Sequence, residues 1–410
     1  MWELIRANKR NSIVLMALMA AVLLILGFVI GLGFFGSEGG FFGLMIATVI
    51  WIILTLISFS SGDQILLAAS RATPVTHDVH PQLFNVVEEM KIAAALPKMP
   101  KIYIINDPAP NAFATGRSPE TASVAVTAGL LARLNRDELQ GVVAHEISHI
   151  IHRDILFVTL AGIMLGSIVL LSQVFLRGMF YSSLGGSRRR YSGGGKGGGQ
   201  AQALMLVIAI IAAIIAPIMA YLLYFALSRR REYLADAGAA RLTRYPEGLA
   251  SALEKIAGDP SPQLATVNKV TAPMYIANPF KRKGQRKLSD LTSTHPPISE
   301  RIRILRNMTH GASYKDYSNA FNEITHSKAA IIPPSALTKE QVELRQAQER
   351  EQKQQRTESQ MRQVGDIMRR VNQFTFLTCA CGLKLKVPPN FKGNKVQCPR
   401  CHRDHNLPDK

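Results

Sequence analysis

His145-Glu146-Ile147-Ser148-His149 lies inside GVVAHEISHIIHRD. On an α-helix, residues four apart share a face, so His145 and His149 can offer two ring nitrogens to one metal ion. Glu146, one step round the helix, can then take the proton of a water that attacks a carbonyl. The same residues on an amphipathic helix are also compatible with ordinary, satisfied polar side chains, so the motif needs corroboration. A catalytic zinc takes three protein donors and leaves one position open. Glu232, in SRRREYLADAGAARL, is the candidate third donor. Asp236, a helical turn further on and on the same face, can orient a ligating histidine; both acids could equally be a solvated pair balanced by Arg229 to Arg231.

The elements that must bring these residues together are set by the apolar runs. Residues 11–37, 39–62, 155–176 and 197–228 carry no charge. Each can cross a hydrocarbon core of about 30 Å at about 1.5 Å per residue, which predicts four transmembrane helices. Pro217 in the fourth is tolerated in a membrane helix. The first run is too long in its apolar region for a cleaved signal peptide, and no small-residue cleavage pattern follows it. The two histidines just precede one span and Glu232 just follows the next, so an even number of crossings returns them to one side.

The net charge of +19 suggests nucleic acid at first sight. Much of it sits in clusters beside spans or in loops (Arg6, Lys9 and Arg10; Arg188 to Arg190; Arg229 to Arg231; Lys281 to Lys283). Such clusters orient membrane helices and meet anionic headgroups, and a nucleic-acid partner is not expected. The N-terminal cluster places the N-terminus, and with it the soluble segments, in the cytoplasm. The Gly- and Ser-rich loop between the third and fourth spans carries Arg177, Arg188 to Arg190 and Lys196. Full crossing would put these charges outside, against the positive-inside rule; a hairpin that only dips into the bilayer would not.

The expected organisation is two membrane helices over 1–61 and a first soluble part over 62–154. A second membrane pair with the Gly-rich loop spans 155–228, and a second soluble part 229–335. A charged, Gln-rich linker covers 336–373, read as a solvated helix or disordered segment, and a cysteine-bearing module 374–410. Within the first soluble part, Pro81 to Ala95 has helical spacing, Lys101 to Asn106 and Ala122 to Thr127 read as strands, and Arg136 to His152 is the helix carrying both histidines.

AHEISHIIHRD, RREYLADAGAARL, NAFATG and THPPISERI, in that order, resemble the HtpX family of membrane zinc metalloproteases, relatives of the CAAX prenyl-proteases. The likeness runs from the first span to about residue 330. It implies an α-helical membrane protein with an α+β zincin-like protease domain, cutting peptide bonds in unfolded or damaged membrane proteins. Residue by residue, it implies His145, His149 and Glu232 as zinc ligands, Glu146 as general base and His295 as donor to the oxyanion. Arg301 would pair with an acid such as Asp236. Asn111 and Ala112, with a strand edge, would grip the substrate backbone; an Asx-type turn at Asn111 is compatible with that. A prenyl-protease is the nearest alternative, disfavoured because four spans leave little wall for a large intramembrane chamber. A non-catalytic scaffold is another, but it has no need of Glu146.

All four cysteines fall in the last module, as Cys379-Ala380-Cys381-Gly382 and Cys398-Pro399-Arg400-Cys401. That leaves none for a disulfide framework elsewhere and resembles a zinc ribbon: four thiolates around a structural zinc with no open position. So short a module has little core, and metal binding would supply most of its folding free energy. One catalytic and one structural zinc are therefore expected. His402 and His405 could compete as ligands, though their position suggests the surface. Lys384, Lys386, Phe391, Lys392 and Lys395 offer a face for an adaptor protein or for substrate recruitment.

Overall fold

The computed structural model describes the whole chain except Met1, Ser37, 185–197, 260–274, 277–295, 327–330, Pro333, 335–336, 338–340, 347–356, Lys392 and 408–410. Two long helices open it, α1 (Trp2–Phe35) and α2 (Gly39–Ala69), followed by strand β1 (Ala72–Pro74) and α3 (Pro81–Ala93). Strands β2 (Lys101–Ile105), β3 (Ala112–Thr115) and β4 (Ser123–Thr127) lead into α4 (Ala128–Arg133) and α5 (Arg136–Ile151). A second long pair follows, α6 (Ile155–Leu184) and α7 (Gly198–Thr243), then α8 (Pro246–Gly258), α9 (Ile298–Arg306), α10 (Tyr314–Thr325) and α11 (Thr357–Val371). Strands β5 (Thr375–Thr378), β6 (Lys384–Val387), β7 (Lys395–Gln397) and β8 (Asp404–Asn406) end it.

The helices α1, α2, α6 and α7 each contain a stretch long and apolar enough to cross a membrane. Among the described residues, every exposed large apolar side chain except Ile92, Leu344 and Phe391 lies on these four. Such a belt is stable only against hydrocarbon. Small residues hold α1 against α2: a Cβ on Gly31 would stand 2.1 Å from the Gly39 carbonyl oxygen, and one on Gly43 2.1 Å from that of Gly27. In lipid, where apolar burial drives little, such close backbone approach is what binds helices together. At about 1.5 Å per residue α7 is about 69 Å long, twice what a bilayer needs. It therefore runs unbroken past Arg229, where the sequence suggested a new soluble segment, and carries Glu232 and Asp236 into the main core.

The sheet has the order β1-β2-β4-β3, with β2 and β4 parallel and the outer pairs antiparallel. Strand β3 was not foreseen: AFAT is short and has no β-branched run, and its pairing with β4 supplies what local propensity does not. It makes β3, rather than Ala122 to Thr127, the outer strand beside the histidine helix. Helix α5 starts on a capping box, with Asn135 accepting from Glu138 N–H and the Glu138 carboxylate reaching back to Asn135 N–H. It is buried almost all round, between α3, α7, α8 and the sheet.

The linker departs from the expectation of a solvated segment. Val364, Ile367, Met368 and Val371 repeat at helical spacing on α11 and pack on the main core. Upstream, Ala312 N–H donates to the Val342 carbonyl (2.8 Å), and Arg345 reaches Asp137 (2.7 Å) at the start of α5. A high charge content hid a narrow apolar stripe, which is enough to dock a helix. The last module is two hairpins, β5–β6 and β7–β8, tied to α11 by Lys386 and Asp366 (2.5 Å).

Candidate active site

Helix α5 aims the Nε2 atoms of His145 and His149 at each other, 3.2 Å apart. From α7, Glu232 brings Oε2 to 3.6 Å from His145 Nε2 and Oε1 to 3.5 Å from His149 Nε2. Three donors at about 2.0–2.2 Å from a tetrahedral zinc lie about 3.3–3.6 Å from one another, so this triangle has the size of a zinc site. Glycine makes the approach possible: a Cβ on Gly238 of α7 would fall 1.9 Å from Ser148 Oγ of α5.

Each histidine has a carboxylate on its other nitrogen. His145 Nδ1 is 2.9 Å from Asp236 Oδ1, and His149 Nδ1 is 3.0 Å from Asp154 Oδ2. With the protons on Nδ1, both Nε2 lone pairs face the triangle's centre. Two lone pairs at that distance repel unless a proton or a metal cation lies between them, and the nearby Glu232 carboxylate favours either. The donor set therefore fits a divalent metal. His152, the third histidine of the motif, turns away: Ser148 Oγ and Tyr314 Oη lie 3.2 and 3.3 Å from its ring nitrogens, and burial pushes its pKa down to about 4.

Arg301, from α9, is fully buried and holds Asp236 through two hydrogen bonds, from Nε to Oδ2 (2.8 Å) and Nη2 to Oδ1 (2.7 Å). Its Nη1 donates to the Ile276 carbonyl (3.0 Å) and lies 3.3 Å from Glu232 Oε2. Glu146 is buried, and burial pushes its carboxyl above the usual range against the pull of both histidines and the Ala114 N–H. Asn111 Oδ1 accepts from the N–H of the next residue, Ala112 (3.1 Å), at the head of β3, which is one residue short of an Asx turn. Ile276 N–H donates to the Ala112 carbonyl (3.0 Å), and Tyr275 packs edge-on against Phe113. His295 lies outside the described residues.

Asp154 and Ile276 were not singled out from the sequence. Asp154 had a signal, an acid five residues past His149 at the mouth of an apolar span. Nothing local marks Ile276.

In the terminal module, Cys379 Sγ is 3.3 Å from Cys401 Sγ, and Cys381 Sγ 3.6 Å from Cys398 Sγ. Disulfide sulfurs lie about 2.0 Å apart; tetrahedral zinc holds thiolates about 3.8 Å apart. All four are free thiols and all sit within 4.8 Å of one another. Burial opposes ionisation of Cys398, but the backbone N–H groups of Arg400 and Cys401 outweigh it and bring the thiol down to about 6. Gly382, at φ +82, turns the first knuckle as only glycine readily does. His402 is exposed and outside the thiol group.

A metal-sized donor triangle with a buried carboxylate beside it, one donor on a helix that continues into a lipid-facing belt, defines a membrane-integral metallohydrolase. The model of peptidase family M48 matches residues 76–309. A protease HtpX homolog of Dictyoglomus thermophilum is 44% identical over 307 residues, covering 75% of this chain and 94% of that one. One from Listeria monocytogenes is 43% identical over 309 residues, covering 75% and 100%. The crystal structure of S. mikatae Ste24p overlaps at a TM-score of 0.39 and 19% identity, over 74% of this chain and 67% of that one. The chain belongs to peptidase family M48, and it is a membrane zinc endopeptidase.

Proposed function

We propose that His145, His149 and Glu232 hold the catalytic zinc, that Glu146 is the general base, and that the four cysteines hold a second, structural zinc. The observation that carries the first assignment is the triangle of His145 Nε2, His149 Nε2 and the Glu232 carboxylate, with a second carboxylate on each histidine's Nδ1. When bound, zinc acts as a Lewis acid toward the scissile carbonyl and toward water. Glu146 takes the proton of the attacking water and delivers it to the leaving amine; a carboxyl raised by burial accepts that proton more readily than an exposed one. Asp236 and Arg301 keep His145 oriented. His295 is assigned the oxyanion donor on its motif alone.

Substrate binds as an added strand along β3. Main-chain pairing gives affinity with little sequence preference and demands an extended chain. Unfolded or damaged membrane proteins meet that demand, which supports a role in protein quality control. Ile276 already takes the Ala112 carbonyl, so an incoming strand must displace it. The active site faces the cytoplasm, as the basic N-terminal cluster supports, and the terminal module recruits an adaptor or substrate through its lysine-rich face.

Purified protein with an unfolded substrate tests the reaction. Glu146→Gln is expected to keep its zinc and lose cleavage by about 10²–10⁴-fold; undiminished cleavage removes Glu146 from the chemistry. Labelling of cysteines placed in 185–197 from outside the cell tests the orientation.

A further inference from the structure

We infer that Asp154 is a positioning residue for the metal site and that it joins this site to the N-terminal membrane helix. The inference rests on His149 being a zinc ligand. Asp154 lies between α5 and α6, 1% exposed, where an ionised carboxylate must find compensation. One oxygen, Oδ2, takes His149 Nδ1 at 3.0 Å and so fixes the tautomer that leaves Nε2 free to bind metal. The other oxygen, Oδ1, is buried with no hydrogen-bond partner among the described residues.

Arg231 of α7, also buried and next in sequence to Glu232, is near enough to Asp154 for the two charges to attract each other. Arg231 Nη2 donates to Ser12 Oγ of α1 at 2.6 Å, and Ser12 is fully buried. One turn earlier on α1, Asn8 Nδ2 donates to the His152 carbonyl (3.0 Å), which closes the C-terminal end of α5. Two polar residues on one face of a membrane helix thus touch both elements that supply the metal donors. Removing α1 would leave Arg231 buried without Ser12 and the end of α5 without Asn8. Seating α1 therefore supports both elements that supply the metal donors.

Zinc binding by the full-length protein over a series of buffered free-zinc concentrations tests this, with occupancy of the terminal module read separately from protection of its thiols. Asp154→Ala is expected to weaken the catalytic site by about 10–100-fold and leave the terminal module unchanged. Asp154→Asn keeps the shape and an acceptor oxygen, and a several-fold loss is expected; it serves if the alanine variant does not fold. Ser12→Val is expected to lose affinity in the same direction by a smaller factor. Excess zinc should restore kcat in each, since none of these side chains takes part in the reaction. Unchanged affinity in both Asp154 variants overturns the inference, and an effect at Asp154 without one at Ser12 overturns its extension to α1. Failure of the unaltered protein to bind a zinc beyond that of the terminal module would instead remove the zinc-ligand assignment.

Discussion

Replacing Arg301 with methionine should unfold the protease core more easily, by an amount the geometry sets. The guanidinium is 0% exposed, gives both of its Asp236 bonds at 2.7–2.8 Å, and also serves Ile276 and Glu232. Methionine fills much of the volume, so the loss is mainly electrostatic: Asp236 stays buried with His145 as its remaining partner. Removing one side of a buried pair costs about 3–5 kcal/mol, most of it the penalty of the stranded charge. At about 2.1 cal/mol/K of unfolding entropy per residue, a chain of 410 residues moves its midpoint by roughly 1 °C per kcal/mol, so a drop of about 3–6 °C is expected. The assay is thermal unfolding in detergent with chelator present, so that altered zinc affinity does not enter. Asp236→Asn in the same background removes the stranded charge, and the double variant should be more stable than the sum of the two single losses predicts. Additive losses, or a cost below about 1 kcal/mol for Arg301→Met, would refute the view that this pair is a closed buried unit.

Three further outcomes follow from the geometry. The unaltered protein should carry two zinc ions per chain by elemental analysis, falling to one when Cys398 and Cys401 become serine; a first count of one removes one of the two sites. Ile276→Ala should lower KM for an unfolded substrate at similar kcat, because it keeps the main-chain bond to Ala112 but loses the buried side chain that seats this segment on the β3 edge; a fall in kcat with KM unchanged would mean that Ile276 only supports Arg301. Gly238→Ala must part α5 from α7, since its methyl would stand 1.9 Å from Ser148 Oγ, and zinc affinity should fall. Ser148→Gly in the same chain should recover much of it; no recovery would place the strain elsewhere.

What the sequence shows clearly here is chemistry written locally. Both histidines and Glu146 lie within one helical turn and a half, the four thiols come in two tight pairs, and the spans are long uncharged runs. Glu232 was within reach because one hairpin joins it to the histidines. What escaped depends on contacts between distant segments. Strand β3 exists because β4 pairs with it, and Ile276 matters only because the fold lays it on that strand. Helix α7 passes through three arginines without a break because arginine favours helix, and Ala235, Ala237, Ala239 and Ala240 behind them bury against the protease core. The α11 stripe was hidden by composition: four apolar residues at the right spacing outweigh a Gln- and Arg-rich surround.

The charges around the site explain why such a cluster can be buried at all. Glu146, Asp154, Glu232 and Asp236 are each at most 6% exposed, as are Arg231 and Arg301. If ionised, the four carboxylates carry two negative charges more than the two guanidiniums cancel. Buried charge of one sign is costly, and the cost falls when the sum approaches zero. A divalent cation among the donor atoms brings this sum to zero with both histidines neutral, whereas a monovalent ion leaves it at minus one. The same arithmetic links binding to folding: whatever free energy the ion gains at the site stabilises the protease core, and the lipid-facing helices share in it through Arg231 and Asp154. Chelator should therefore lower the unfolding midpoint of the whole protease portion. It should do so even when Cys398 and Cys401 are serine, which separates the core's dependence on metal from that of the terminal module. An unfolding midpoint indifferent to chelator in that variant would mean that protons on the carboxylates, not a metal, balance the cluster.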